Sequence, residues 1–207
     1  MNGPESGIPA AAREPHTMLE RAWNILVSPR DEWTRIANEH ASPSSLYVGY
    51  AAPLVGLAAV MSFLQRCLIG TWVPLSSRLA KAAPSEALQL AVSSFLYGLV
   101  GLFVLALIIH LLAPAFGARR NLGQAMKAAV YSATPACVGS VFALLPLLGA
   151  LIGLMLMLYG VYVLYVGLVP VMGAPRERAV GYTAGVIAVM LVLGVLVAAL
   201  GTAMSGL

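Results

Sequence analysis

The stretch "AAVYSATPACVGSVFALLPLLGALIGLMLMLYGVYVLYVGLVPVMGAP", Ala128 to Pro175, contains no charged residue. A membrane-spanning helix takes about 20 apolar residues. The run is therefore too long for one span and long enough for two. Pro146 and Gly149 mark the turn between them, which predicts one span near Ala125–Leu145 and another near Leu147–Met172. Further apolar runs lie on both sides. Leu46–Ile69 and Leu88–Leu112 precede the stretch, and Val180–Met204 follows it. The fold class read from this pattern is all-α, a polytopic membrane protein of five transmembrane helices with a short N-terminal amphipathic helical segment.

Composition agrees. The 207 residues are 60% hydrophobic and 10% charged, where a soluble domain carries about 25% charged residues. The polar, proline-rich start has no apolar core of a secretory signal, so the first span is expected to act as an uncleaved insertion signal. The net charge of +4 reports membrane topology and no nucleic acid partner is expected. Nine Lys and Arg residues fall on the side of the N-terminus, the second connection and the fourth connection, against three on the other side. Leaving out Arg13 and Arg21, which lie far from the first span, the ratio is seven to three. The positive-inside rule then predicts a cytoplasmic N-terminus and an extracytoplasmic C-terminus, in the inner membrane of a bacterium.

Before the first span the chain divides in two. Residues 1–16 are rich in Pro, Gly and Ala without period and read as a disordered tail. Residues 17–45 read as cytoplasmic interfacial helices, with residues 46–207 as the transmembrane domain. Thr17 caps a helix to about Val27, with Met18, Leu19, Ala22, Trp23 and Leu26 on one stripe. Ser28 reads as a second N-cap, with Pro29 at the first helical position and Asp31 completing a capping box. Trp33, Ile36 and Ala37 share a side of that second helix. Two short helices, each with a tryptophan on its apolar side, suit a foot lying on the membrane: Arg21, Trp23, Arg30, Trp33 and Arg35, with the arginines at anionic headgroups.

Chemistry within the spans is sparse. None carries Asp or Glu, which argues against proton-coupled antiport. Arg66 and Lys127 sit near span ends, where both can snorkel. His110 reads as a histidine tolerated at the boundary. Gly139-Ser140-Val141 lacks the second glycine of a nucleophile elbow, and His110 is its only candidate base, near the opposite end of the bundle. No catalytic, metal-binding or cofactor-binding set emerges, and Cys67 and Cys137 read as small buried hydrophobes. Gly149, Gly153, Gly160 and Gly167, then Gly181, Gly185, Gly194 and Gly201, allow close helix approach.

Eight tyrosines complete the inventory. Tyr47, Tyr50, Tyr131 and Tyr182 fall near cytoplasmic span ends, where aromatic belts form. Tyr159, Tyr162 and Tyr165 run deeper and need hydrogen-bond partners. Pro53 and Pro135 each free a carbonyl one turn earlier, near Gly49 and Tyr131. The candidate cluster is a kinked polar site from spans one, three and four: Tyr47, Gly49, Tyr50, Pro53, Tyr131, Pro135, Tyr159, Tyr162 and Gly167. Belt anchoring with ordinary proline kinks is the competing reading.

The segments "RAWNILVSPRDEWTRIANE", "LYVGYAAPL", "AVYSATP", "LYGVYVLYVGL" and "APRERAVGY", in this order, resemble the bacterial branch of the Yip family of Ypt/Rab-interacting membrane proteins. The matching residues are Trp33, Tyr47, Gly49, Tyr50, Pro53, Tyr131, Pro135, Tyr162, Gly167 and Ala179. The resemblance implies five spans with the N-terminus inside, and proteins linked to Rab GTPases, vesicle traffic and membrane shaping that are not enzymes. This chain lacks the long cytoplasmic N-terminal region of the eukaryotic members and a "DLxGP"-like stretch before span one, so a Rab-like partner is not expected. The functional expectation is a non-catalytic scaffold that binds lipid, a membrane-protein partner or a second copy through its small-residue faces. The alternatives are a small transporter or channel subunit for a neutral or weakly polar solute, and an intramembrane hydrolase using Ser140 and His110.

Overall fold

The structure, a computed structural model, describes residues 17–39, 42–73, 78–145 and 147–205. The expected disordered tail at 1–16, residues 40–41 of the joint before span one and the turn residue Pro146 lie outside them.

The chain is helical almost throughout. Helix α1, Met18–Val27, begins at a complete capping box: the Glu20 backbone N–H donates to Thr17 Oγ1, and the Thr17 N–H to Glu20 Oε2. Helix α2, Pro29–Asn38, starts with proline at its first position, where the missing N–H costs nothing. Ser28 makes no side-chain cap bond, so the second capping box expected from the sequence is not formed. Helix α3, Pro43–Leu46, runs through a π-helical turn at Tyr47–Ala51 into α4, Ala52–Leu64, and a second π turn ends it at Ile69. A short antiparallel ribbon follows, β1 (Thr71–Val73) on β2 (Arg78–Ala80), with Trp72 opposite Leu79. Helix α5, Pro84–Leu112, ends in a 3-10 turn, Ala113–Phe116.

Four helices are long and apolar enough to cross a membrane: Pro43–Ile69, Pro84–Phe116, Leu148–Met172 and Arg176–Ala203. The helix expected over Ala125–Leu145 is not continuous. It is α6, Leu122–Ser132, then α7, Thr134–Gly139, then a 3-10 segment, Ser140–Leu144. Pro135 explains the first break, because it lacks the N–H that would bond Tyr131 O and its ring crowds that carbonyl. The chain restarts with Pro135 in the first turn of α7. Helix α8, Leu148–Met172, ends on Gly173 in the left-handed region, and α9 is Arg176–Ser205.

The packed core gathers at one end. Trp33 and Ile36 of α2, Tyr50 and Leu54 of the first span, Ile109 of α5, Tyr131 of α6, Val163 and Leu168 of α8, and Tyr182 and Val186 of α9 are all buried. Toward the other end α9 separates from the bundle, with Leu191, Val192, Val195, Leu196, Val197 and Leu200 exposed.

Candidate functional site

The core end is built where α1 and α2 dock on α6 and α8. Trp33 is fully buried, and its Nε1–H donates to Val163 O at 2.9 Å. That carbonyl is in mid-helix, so it accepts the indole in addition to its own helical bond. The indole lies on Gly167, where an added Cβ would stand 2.4 Å from Trp33 Cε2. Glycine is required by this close approach. The indole meets the Tyr131 ring edge-on at 6.1 Å between centroids, and Tyr131 meets Tyr50 in the same way at 4.7 Å. The Tyr50 hydroxyl is hydrogen-bonded to Thr134 Oγ1 at 2.9 Å.

A charged layer sits on this aromatic floor. Arg21 Nη1 donates to Glu32 Oε1 at 3.0 Å and Nη2 to Glu39 Oε1 at 2.7 Å, and its Cζ is 5.7 Å from the Tyr131 ring centroid. Glu32 also faces Arg35, Nη1 to Oε2 at 3.5 Å. Burial works against the Arg21 charge, but the hydrogen bond to Glu39 and the negative charges of Glu39 and Glu32 outweigh it and raise its pKa. Lys127 donates from Nζ to Ile36 O at 3.0 Å and Glu39 O at 2.5 Å, and Gln124 Nε2 to Ala37 O at 3.4 Å. These carbonyls lie at the C-terminus of α2, where helical acceptors run short of donors; Ile36 O also accepts the capping Glu39 N–H at 3.3 Å. A cation there also complements the helix dipole.

The placement of the foot differs from the sequence expectation. Arg21 turns inward to two carboxylates, and Trp33 is inside the protein, so neither faces headgroups. Their partners Glu32, Glu39 and Val163 are far away in sequence or on another element, and no spacing rule connects them. Trp23 is 66% exposed, with Leu19 and Val27 beside it, while Ala22 and Ile25 face the bundle. The stripe read as a single face is thus split, and α1 is apolar on two sides. Lys127 does not snorkel to the boundary. Arg30 and Arg35 stay at the surface.

The tyrosines donate to other carbonyls than those freed by Pro53 and Pro135. Tyr47 donates to Leu99 O at 2.8 Å, Tyr159 to Leu26 O at 2.9 Å, and Tyr182 to Ile109 O. The Tyr159 bond ties the end of α1 to the middle of α8. Of the candidate cluster, Tyr50, Tyr131 and Gly167 meet around Trp33, and Pro135 is buried beside Thr134. Gly49 and Pro53 face outward, and Tyr162 is half-exposed against Tyr159 at 5.7 Å.

At the opposite end a cavity of about 730 Å³ opens between the end of the first span, α7 and the start of α8. Gln65 and Ser140 are its polar side chains, among Ile69, Gly139, Leu147 and Gly153. Ser140 Oγ donates to Cys137 O at 2.6 Å. His110 Nδ1, by contrast, is buried without a hydrogen-bond partner among the described residues. The Ser140–His110 pair that a hydrolase would need is therefore not formed. No group of His, Cys, Asp and Glu suited to a metal ion occurs among the described residues.

This arrangement can be set against known proteins. No solved structure matches the chain. Inner membrane protein YohC of Escherichia coli K12 is 27% identical over 183 residues, covering 87% of this chain and 93% of the relative. The same protein from the O6:H1 strain of Escherichia coli matches equally. The family model described as Yip1 domain matches residues 23–197, from α1 into the C-terminal half of α9. With most of the chain matched, its membrane-spanning helices and the docked N-terminal helices included, the protein belongs to the Yip1 domain family.

Proposed function

We propose that this protein is a non-catalytic scaffold of a bacterial inner membrane, with five spans, the N-terminus in the cytoplasm and the C-terminus outside. The segmented helix of α6, α7 and the 3-10 turn serves as the third span. The basic residues of its loops support this orientation, and the printed name of the Escherichia coli relative supports the compartment. Residues 17–39 work as part of the membrane domain, since they are packed into its core and the family match begins within α1.

The observation that carries the scaffold reading is the uncovered outer half of α9. Only 6% of its most apolar window is buried, against 22–28% in the other three long helices. A Cβ added to Gly160 or Gly167 of α8 would strike a neighbour, whereas one added to Gly194 or Gly201 of α9 meets nothing within 4 Å. Gly160 and Gly167 of α8, like Gly181 and Gly185 at the start of α9, are used inside the bundle, and Gly194 and Gly201 are left for lipid or another helix. Crosslinking in native membranes with mass spectrometry tests this. A stoichiometric partner or second copy joined through residues 187–203 is expected, and a chain that crosslinks to no protein there would refute the partner-binding role.

A second reading is favoured by the 730 Å³ cavity, which would admit a neutral or weakly polar solute. A transport path must continue to the inner face, and there the bundle is filled by Trp33, Tyr50 and Tyr131. Solute-dependent swelling of proteoliposomes would favour this reading over the scaffold.

A further inference from the structure

The docked helix α2 creates a recess that no other part of the fold needs. It measures about 400 Å³ and lies between α2, the last turns of α8 and the first turn of α9. Two guanidinium groups line it, Arg30 from α2 and Arg176 from α9, with Thr34 and Tyr165 between them. Both arginines are exposed, and among the described residues neither is held in an ion pair. Arg21 and Lys127 are each engaged by carboxylates or carbonyls, so convergence of two unpaired cations on one recess sets this place apart.

Its floor is apolar, formed by Val166, Val169 and Pro170 of α8. Below it a second groove of about 380 Å³ runs down the seam of α8 and α9, and Tyr165 lines both. This lower groove is walled by Leu158 and Tyr162 on one side and Val180, Ala184 and Ile187 on the other. From Tyr165 to Leu158 the helix descends about 10 Å at 1.5 Å per residue. The two recesses thus form one surface: cationic and hydrogen-bonding at the end of a span, apolar along the span.

We propose that this surface is a binding site for an anionic glycerophospholipid. The headgroup phosphate sits between Arg30 and Arg176, which present planar forks matched to phosphate oxygens. Tyr165 lies within the same recess to reach a remaining oxygen, while the Thr34 hydroxyl donates to Arg30 O at 3.1 Å and braces that arginine's turn of α2, and an acyl chain lies in the seam beneath. A free phosphate shares the headgroup chemistry but has no use for the lower groove. Basic recesses at the cytoplasmic ends of spans are where anionic headgroups are held. The site rests on the proposed cytoplasmic orientation of this end and does not depend on the scaffold reading.

The test is native mass spectrometry of the full chain released from detergent with phosphatidylglycerol, phosphatidylcholine or inorganic phosphate added. Phosphatidylglycerol adducts are expected to outnumber phosphatidylcholine adducts. In R30Q/R176Q they should fall by about tenfold or more, since each surface cation contributes about 1 kcal/mol toward anionic lipid. The control R119Q/R120Q removes the same charge from another exposed loop and should retain them. Ala184→Trp fills the lower groove and should lower phosphatidylglycerol binding with both arginines intact. The proposal is overturned by R30Q/R176Q binding like the unaltered chain, by the control losing as much, or by millimolar phosphate displacing the lipid outright. Thermal midpoints of the variants, all at exposed positions, confirm that each is folded.

Discussion

Gly167→Ala should destabilise the protein through one side chain, Trp33. The new Cβ would lie 2.4–2.8 Å from three atoms of the indole. The indole cannot yield freely, because it is fully buried, bonded to Val163 O and in contact with Tyr131. Overpacking of this kind costs about 1–3 kcal/mol, and displacing the indole loses a hydrogen bond of about 1 kcal/mol. Alanine in place of glycine in a helix returns about 0.5–1 kcal/mol. The net loss is about 1–3 kcal/mol, and at roughly 2–4 °C per kcal/mol for a chain of this size the thermal midpoint falls by about 2–12 °C. In a Trp33→Ala background, itself costing about 3–5 kcal/mol, the clash is gone and only the helix preference remains. There Gly167→Ala should raise the midpoint by about 1–4 °C. The assay is thermal unfolding of the full chain in dodecyl maltoside, with a thiol-reactive fluorophore reading exposure of Cys67 and Cys137. The reasoning fails if Gly167→Ala lowers the midpoint equally in both backgrounds, because the cost would then not pass through the indole.

Three further outcomes are expected. Arg21→Gln leaves Glu32 buried and without its main cation, at a cost of about 3–5 kcal/mol, and R21Q/E32Q should recover part of the lost midpoint. Lys127→Met removes the ammonium donor from the Ile36 and Glu39 carbonyls, of which Ile36 O keeps the Glu39 N–H, at about 1.5–3 kcal/mol for bonds from a charged donor; protease cleavage near the end of α2 should accelerate while α8 remains protected. Deleting residues 17–39 uncovers Val163, Gly167, Tyr131 and Lys127, so the yield of folded protein in detergent should collapse, and an unchanged yield would show that the N-terminal helices are not part of the core.

Four of the five expected spans could be read from the sequence as long apolar helices, because a membrane sets their length, and length with hydropathy is a property of one segment alone. The segmentation of the helix expected over Ala125–Leu145 was half legible. Pro135 announced a kink at the preceding turn, but nothing local announced that the chain would tighten again from Ser140 to Leu144. The start of α1 was legible in full, because the capping box of Thr17 and Glu20 lies within four residues. Ser28 with Asp31 had the same spacing and did not form one; its backbone adopts φ −135° and ψ 62° where α1 turns into α2.

The faces were illegible for a different physical reason. In a soluble helix the buried side is the apolar side, but α8 and α9 are apolar all round, so hydropathy cannot say which side meets protein. Yet α8 buries Gly160, Val163, Leu164, Gly167, Leu168 and Val171, one helical stripe, and α9 buries almost nothing beyond Val186. Only the glycines hinted at the difference, and glycines occur at similar spacing in both helices. They separate once contacts are known: Gly160 faces Ser132 O and Gly167 faces Trp33, while Gly194 and Gly201 face open space. The same logic misplaced the foot. Arginine and tryptophan beside a membrane are read as headgroup anchors when their partners are invisible, and the partners of Arg21 and Trp33 lie 11 and 130 residues away. A buried charge is tolerated only when paired, so Glu32 and Glu39 fix where Arg21 points more firmly than any amphipathic stripe could. In this protein it is the few polar residues, through pairings the sequence does not reveal, that determine which apolar surfaces are closed off and which remain for lipid or a partner.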